Sequence, residues 1–158
     1  MKTGVTVGDC MQQSLAVISE EASLVDTAKK MKARKVGSLL VVGDKNIPFA
    51  IITERDLVWK ALAKNRTSVK AKNLASKPLI TVAPEADITD AAKMMRDKDV
   101  KRLVVAKEGK VVGIISEKDL VRISPSLFDL ILEEEKAGWK PEYVARVEKA
   151  RKNLVLPR

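Results

Sequence analysis

Ile52-Thr53-Glu54-Arg55-Asp56-Leu57 returns 63 residues later as Ile115-Ser116-Glu117-Lys118-Asp119-Leu120. Each hexapeptide closes a longer stretch, and the two stretches, residues 21–57 and 85–120, follow one pattern. A shift of 64 places Asp26 on Asp90, Ala28 on Ala92, Lys29 on Lys93, Met31 on Met95, Val36 on Val100 and Leu39 on Leu103. One deletion in the second copy lowers the shift to 63, which brings Thr53 onto Ser116 and Asp56 onto Asp119. A period this long marks a supersecondary unit repeated in tandem, so the two halves are expected to complete one core between them. A pair of copies related by a pseudo-twofold axis also leaves paired clefts, where function is expected to sit.

Both copies carry the same order of elements. A short apolar strand opens each, Leu15-Ala16-Val17-Ile18 and Leu79-Ile80-Thr81-Val82. A helix follows, with Leu24, Ala28 and Met31 predicted on its apolar face and Ile88, Ala92 and Met95 matching them; that spacing is an amphipathic helix docked on a core. Two apolar runs come next, Ser38–Val42 with Phe49–Ile52 and Arg102–Ala106 with Val111–Ile115, each pair split by a polar turn containing Gly43 or Gly109. This is a hairpin signal. A second helix starts at the hexapeptide. The expected fold is α/β, with the order β-α-β-β-α used twice.

Thr53 and Ser116 each stand just ahead of a helix, with Asp56 and Asp119 three residues on. A hydroxyl at that place caps an orphan backbone N–H, and an acid in the first turn complements the helix dipole. The same geometry puts a hydroxyl and a carboxylate at a strand-to-helix junction, where ligands bind in α/β folds. A carboxylate there accepts hydrogen bonds from two vicinal hydroxyls. The two readings are compatible.

Composition narrows the chemistry. The chain has 158 residues, 46% of them hydrophobic and only 3% aromatic, so its core is aliphatic. No histidine occurs and Cys10 is the only cysteine. An intrachain disulfide, a Cys/His zinc site and the His-dependent nucleophile arrangements are thereby excluded. With 30 Lys and Arg against 21 Asp and Glu, the formal charge is +9, which favours an anionic partner or a highly soluble surface. No apolar run approaches the length of a membrane span and no signal-peptide core follows Met1, so a cytoplasmic protein is expected.

These features together resemble a tandem pair of CBS domains, a Bateman module. The resemblance covers roughly residues 5–123, and its signature is Gly-apolar-apolar-Thr/Ser-x-x-Asp. The second copy carries it in full as Gly113-Ile114-Ile115-Ser116-Glu117-Lys118-Asp119, whereas the first has Ala50 in place of the glycine. Repeat 1 is expected over residues 5–66, repeat 2 over 67–123, and a helical extension over 124–158. The resemblance implies two repeats packed with pseudo-twofold symmetry, clefts that bind AMP, ADP, ATP or S-adenosylmethionine, no cofactor, no catalysis and a homodimer formed through the repeat helices. In similar modules each cleft is built crosswise: the Thr/Ser and Asp of one repeat hold the ribose, and the other repeat contacts base and phosphates.

Carried onto this sequence, that rule pairs Thr53 and Asp56 with Lys101, Arg102 and Lys118 for phosphate, and with Lys77, Leu79, Ile80 and Thr81 near the base. It pairs Ser116 and Asp119 with Val17, Gly37 and Ser38, which carry no charge. Unequal clefts are therefore expected, with the phosphorylated adenosine on the Thr53–Asp56 side. S-adenosylmethionine is a weaker expectation, because a sulfonium cation would meet basic residues. A nucleic-acid partner, drawn by net charge, and an interaction scaffold with empty clefts are the remaining alternatives.

Beyond residue 123, Leu127–Leu132 is apolar, Gly138 is a stop signal and Pro141 opens a second helical pattern with Val144, Val147 and Leu154 near one face. Trp139 and Tyr143 lie near the join. Packing or dimer formation is expected there, with a basic helix contacting a partner as the alternative.

Overall fold

The computed structural model describes residues 3–123. The predicted extension over 124–158, with Trp139 and Tyr143, lies outside the described residues. The first half runs α1 (Val7–Cys10), β1 (Val17–Ser19), α2 (Leu24–Arg34), β2 (Ser38–Val42), β3 (Pro48–Thr53) and α3 (Glu54–Asp56). The second runs α4 (Ala71–Leu74), β4 (Thr81–Val82), α5 (Ile88–Asp97), β5 (Arg102–Lys107), β6 (Lys110–Ser116) and α6 (Glu117–Ile123). The β-α-β-β-α order is present twice, and each copy is preceded by a short helical turn that the sequence reading did not identify.

Each half has one three-stranded sheet, ordered β1-β2-β3 or β4-β5-β6, with a parallel first pair and an antiparallel hairpin. The hairpins share a register irregularity at the same place, between Val41 and Val42 and between Val105 and Ala106. The deletion in the second copy falls in the turn. Glu108 and Gly109 both take positive φ, 50° and 76°, the pairing that a two-residue turn needs to match strand twist.

Alternation along β2 and β5 sorts side chains between two surfaces. Leu39 and Val41 enter one core with Leu24, Met31 and Ile52; Leu103 and Val105 enter the other with Ile88, Met95 and Ile115. Leu40 and Val104, matched by the shift of 64, are 1% and 2% exposed yet belong to neither core. They occupy the opposite sheet faces, where the halves meet. Full burial of each such side chain contributes roughly 1.5–3 kcal/mol.

Each half is completed by the other half's opening segment. Val7 is fully buried in the second core, the N–H of Val7 donates to Ala86 O at 2.8 Å, and that of Gly8 donates to Pro84 O at 2.8 Å. Reciprocally, Val69, Ala71 and Leu74 are buried in the first core, and Ala71 N–H donates to Ala22 O at 2.9 Å. The segments end in matched bridges, Gln12 with Ile114 and Ser76 with Ile51.

This crossing explains why only one copy keeps the signature glycine. A Cβ at Gly113 would lie 2.5 Å from Met11 Sδ. In the first half the position matching Met11 is Ala75, and there Ala50 is tolerated with 0% exposure.

Two expectations are corrected. The opening strands are shorter than predicted: Leu15, Ala16, Leu79 and Ile80 precede β1 and β4, although Ala16 O and Ile80 O still accept from Leu40 N and Val104 N. The buried face of α2 is Leu24, Thr27 and Met31, and Ala28 is exposed; in α5 it is Ile88, Ala91 and Met95, with Ala92 only half-buried. Thr27 takes a core position because its hydroxyl donates to Ser23 O at 2.8 Å, which satisfies its polar group. The helix begun by α3 continues as a widened π turn at Leu57–Ala61 and a tight 3-10 turn at Leu62–Lys64.

Candidate functional site

The two hexapeptides build matched hydroxyl–carboxylate pairs at their helix starts, and the first is a full reciprocal cap. Thr53 donates from its N–H and its hydroxyl to Asp56 Oδ2 at 2.8 and 2.7 Å, and Asp56 N–H returns a bond to Thr53 Oγ1 at 3.2 Å. Ser116 donates likewise to Asp119 Oδ2, at 2.9 Å from N–H and 2.6 Å from the hydroxyl. Asp56 and Asp119 are 6% and 7% exposed, so these bonds hold each carboxylate in place.

The second carboxylate oxygens differ. Asp56 Oδ1 faces Lys60 Nζ at 2.7 Å, and Lys60 also donates to Leu74 O and Ser76 Oγ. Asp119 Oδ1 accepts instead from the neutral amide of Gln12 at 3.0 Å. In both halves the carboxylate is thereby tied to the segment contributed by the other half. The first half compensates its charge and the second does not.

A cavity of about 1120 Å³ opens between the halves. Gln12, Ser14, Leu15, Ala16, Gly37 and Ser38 line it from the first half, and Lys101, Arg102, Ser116, Lys118 and Asp119 from the second. Seven basic residues stand on its walls (Lys29, Lys32, Lys35, Lys101, Arg102, Lys118 and Arg122) against three acidic ones, Glu54, Glu117 and Asp119. An anionic ligand fits that balance.

The sequence sets Ser116 and Asp119 opposite Gly37 and Ser38, which carry no charge. Gly37, Ser38, Ser116 and Asp119 do come together, but Lys101, Arg102 and Lys118 line the same cavity. The cause is sheet register. Arg102 is the direct partner of Ser116 across the β5–β6 pair, and Lys101 O accepts from Glu117 N–H at 3.0 Å. The basic pair is thus fastened to its own repeat's hexapeptide. Among the other expected site residues, Val17, Thr53, Asp56, Lys77, Leu79, Ile80 and Thr81 are not on this cavity's walls. Lys77 and Thr81 are exposed, Leu79 and Ile80 are half-buried, and Val17 lies within β1.

Arg102 nonetheless reaches the first half. A Cβ on Gly37 would be in ordinary contact with its terminal nitrogen at 3.5 Å and would crowd Glu54 Oε2 at 3.1 Å, so Arg102 and Glu54 both lie against Gly37. Burial pulls the Arg102 guanidinium down from its ordinary pKa, opposed by the carboxylates of Glu54, Glu117, Asp56 and Asp119. Among the described residues it forms no ion pair. A half-buried, always-charged fork near the meeting of two caps is suited to phosphate oxygens. No helix of the described residues is long and apolar enough to cross a membrane, and no three His, Cys, Asp or Glu among them are placed to hold a metal ion.

Gln12, Glu54 and Glu117 were missed by the sequence reading. Gln12 precedes the repeat as first aligned, and its match, Ser76, shares only polarity. The two glutamates carried a usable signal, since they occupy the same place in both hexapeptides.

A family model described as CBS domain matches residues 7–62 and 71–126. An uncharacterised protein of Methanopyrus kandleri is 37% identical over 135 residues, covering 84% of this chain and 69% of that protein. The crystal structure of Hypoxic Response Protein I with two coordinated zinc ions superposes with a TM-score of 0.66 at 28% identity, covering 77% of this chain and 100% of that one. A CBS domain protein from Pyrobaculum aerophilum, complexed with AMP, superposes with a TM-score of 0.71 at 25% identity, covering 80% of this chain and 98% of that one.

Proposed function

The chain belongs to the CBS domain family, and on that premise we propose that it is a regulatory module that binds an adenosine nucleotide (AMP, ADP or ATP) and catalyses nothing itself. The observation that carries this reading is Arg102, half-buried and without an ion pair among the described residues, in a cleft whose walls hold seven cations. The AMP complex of the Pyrobaculum aerophilum protein supports the ligand class.

In this reading Ser116 and Asp119 hold the ribose, Leu15 and Ala16 offer apolar surface to the base, and Arg102, Lys101 and Lys118 meet phosphate. Thr53 and Asp56, with Lys77, Leu79, Ile80 and Thr81, form a second and weaker cleft, because Lys60 already compensates Asp56. This reverses the ranking that the sequence suggested. A second copy of the chain is proposed to pack over Val25, Val58, Trp59 and Leu62, which are 57%, 48%, 62% and 54% exposed; all but Trp59 lie on the cavity's outer wall, so the partner would close that end of it. The module is proposed to act in the cytoplasm, reporting nucleotide level through a change in shape or partner affinity. Such a change requires that two states differ in affinity for the ligand.

S-adenosylmethionine is disfavoured by the cationic wall. Nucleic acid is the reading favoured by net charge alone. Thermal shift with AMP, ADP, ATP, S-adenosylmethionine and a short oligonucleotide separates them, since a ligand of the native state raises the melting temperature. AMP, ADP or ATP is expected to do so, and Arg102→Ala or Asp119→Ala is expected to weaken binding roughly ten-fold or more, the size of one charge-assisted hydrogen bond. Asp56→Ala is expected to do less. Stabilisation by the oligonucleotide alone, with a steep salt dependence, would refute the nucleotide reading.

A further inference from the structure

Gln12 stands where the exchanged opening segment meets the cleft. Its backbone is pinned to β6, with Gln12 N–H donating to Ile114 O at 2.8 Å and Ile114 N–H donating to Gln12 O at 3.0 Å. Its exposed side chain lines the cavity beside Ser116 and Asp119. Nε2 donates to Asp119 Oδ1 at 3.0 Å. An ionised carboxylate only accepts, so this bond fixes which way the amide faces. Gln12 Oε1 is then an acceptor on the other branch of the same planar group.

Asp119 Oδ2 already takes two bonds from Ser116, whereas Oδ1 takes only Gln12 among the described residues. The cleft therefore presents two neighbouring acceptors, Asp119 Oδ1 and Gln12 Oε1, each with a lone pair left. The first half is different. Asp56 Oδ1 faces Lys60, whose three donors go to Asp56, Leu74 O and Ser76 Oγ. An ammonium offers no lone pair, so an acceptor stands beside a spent donor there.

We propose that Gln12 is a specificity-determining residue of the Ser116–Asp119 cleft: with Asp119 it selects ligands that carry two adjacent hydroxyl donors, an intact ribose diol, and the Asp56–Lys60 side does not. A vicinal diol brings two donors to two acceptors linked by the Gln12–Asp119 hydrogen bond. A 2′-deoxyribose brings one and leaves an acceptor unpaired. This inference rests on the adenosine-nucleotide reading above.

The test is calorimetric titration of AMP and 2′-deoxy-AMP into the full chain, the Gln12→Ala variant and the Gln12→Met variant. The wild-type chain is expected to prefer AMP. In Gln12→Ala the affinity for AMP is expected to fall roughly three- to ten-fold, the size of one neutral hydrogen bond, while that for 2′-deoxy-AMP stays unchanged. Gln12→Met, similar in volume but without an acceptor, is expected to behave the same way, which separates hydrogen bonding from packing. An AMP preference retained in both variants overturns the role of Gln12 and leaves nucleotide binding standing. Equal binding of the two nucleotides by the wild-type chain overturns diol selection and also leaves it standing. A wild-type chain that binds neither overturns the nucleotide reading and this inference with it.

Discussion

Alanine at position 113 puts a methyl group 2.5 Å from Met11 Sδ, 3.0 Å from Met11 Cγ and 3.2 Å from Gln12 O, all inside the 3.4 Å at which ordinary contact begins. The Met11 and Gln12 backbones cannot retreat, because their N–H groups are held by Val7 O and Ile114 O at 2.8 Å, so the Met11 side chain must swing out of its packing while Gln12 O stays in the way. Overpacking of this kind costs about 1–3 kcal/mol. Loss of glycine freedom in the unfolded chain returns about 0.4–1 kcal/mol. Gly113→Ala is therefore expected to destabilise by about 1–2 kcal/mol, and each 1 kcal/mol lowers the melting temperature by about 2–4 °C in a chain of this size. Met11→Ala is expected to cost about 1–2 kcal/mol of packing, at or below the low end for truncating a core methionine because the side chain is only half-buried. The double variant recreates the Ala50 and Ala75 pair of the first half, so it is expected to be no less stable than Met11→Ala alone. Urea unfolding of the four proteins closes the cycle, with a coupling of about 1 kcal/mol or more. If Gly113→Ala is as stable as the wild type, or the two losses simply add, the packing of the opening segment on Gly113 does not explain the signature glycine.

Asp87 is held well below the usual carboxylate range by the Thr89 backbone and side chain and by the N–H groups of Thr3 and Gly4. A depressed carboxyl stabilises the fold above its unfolded value of 3.8 and loses that contribution as pH falls from there toward the lowered folded value. Protection of residues 3–8 against hydrogen exchange, taken relative to the intrinsic rate at each pH, is thus expected to fall below about pH 4 in the wild type and to be already low at neutral pH in Asp87→Ala. Thr53→Val removes the acceptor for Asp56 N–H, and chemical denaturation is expected to show a loss of about 1 kcal/mol. Lys60→Met removes the donor that ties Leu74 O and Ser76 Oγ to Asp56, so limited proteolysis is expected to cut near residues 69–76 sooner than in the wild type.

The sequence was legible where one side chain answers to one local rule. Thr53 and Ser116, followed by Asp56 and Asp119, announced the hydroxyl–carboxylate pairs that stand at both helix starts. Strand alternation and turn residues located both hairpins. Helical spacing located α2 and α5 but chose Ala28 over Thr27, because hydropathy discounts a hydroxyl that later finds Ser23 O. What stayed hidden depends on contacts between distant residues. Nothing local in Val7 or Gln12 says that they serve a core and a carboxylate more than 70 residues away. Lys101 and Arg102 were legible as an asymmetry between copies, but their side of the cleft is set by pairing with Ser116 and Glu117, which the repeat alignment does not contain.

The crossing of the opening segments bears on how such a molecule assembles. A chain of half this length would hold out a segment its own core cannot use and would lack the one it needs. Two such chains would complete each other only by trading segments, and their stability would rise with concentration. Joining the halves through residues 62–70 turns that bimolecular step into an intramolecular one, with an effective concentration in the millimolar range for a short linker. The exchange of segments in the fused chain is therefore independent of dilution, and each copy becomes free to diverge, as Gln12 and Lys60 have done, without spoiling a symmetric partner.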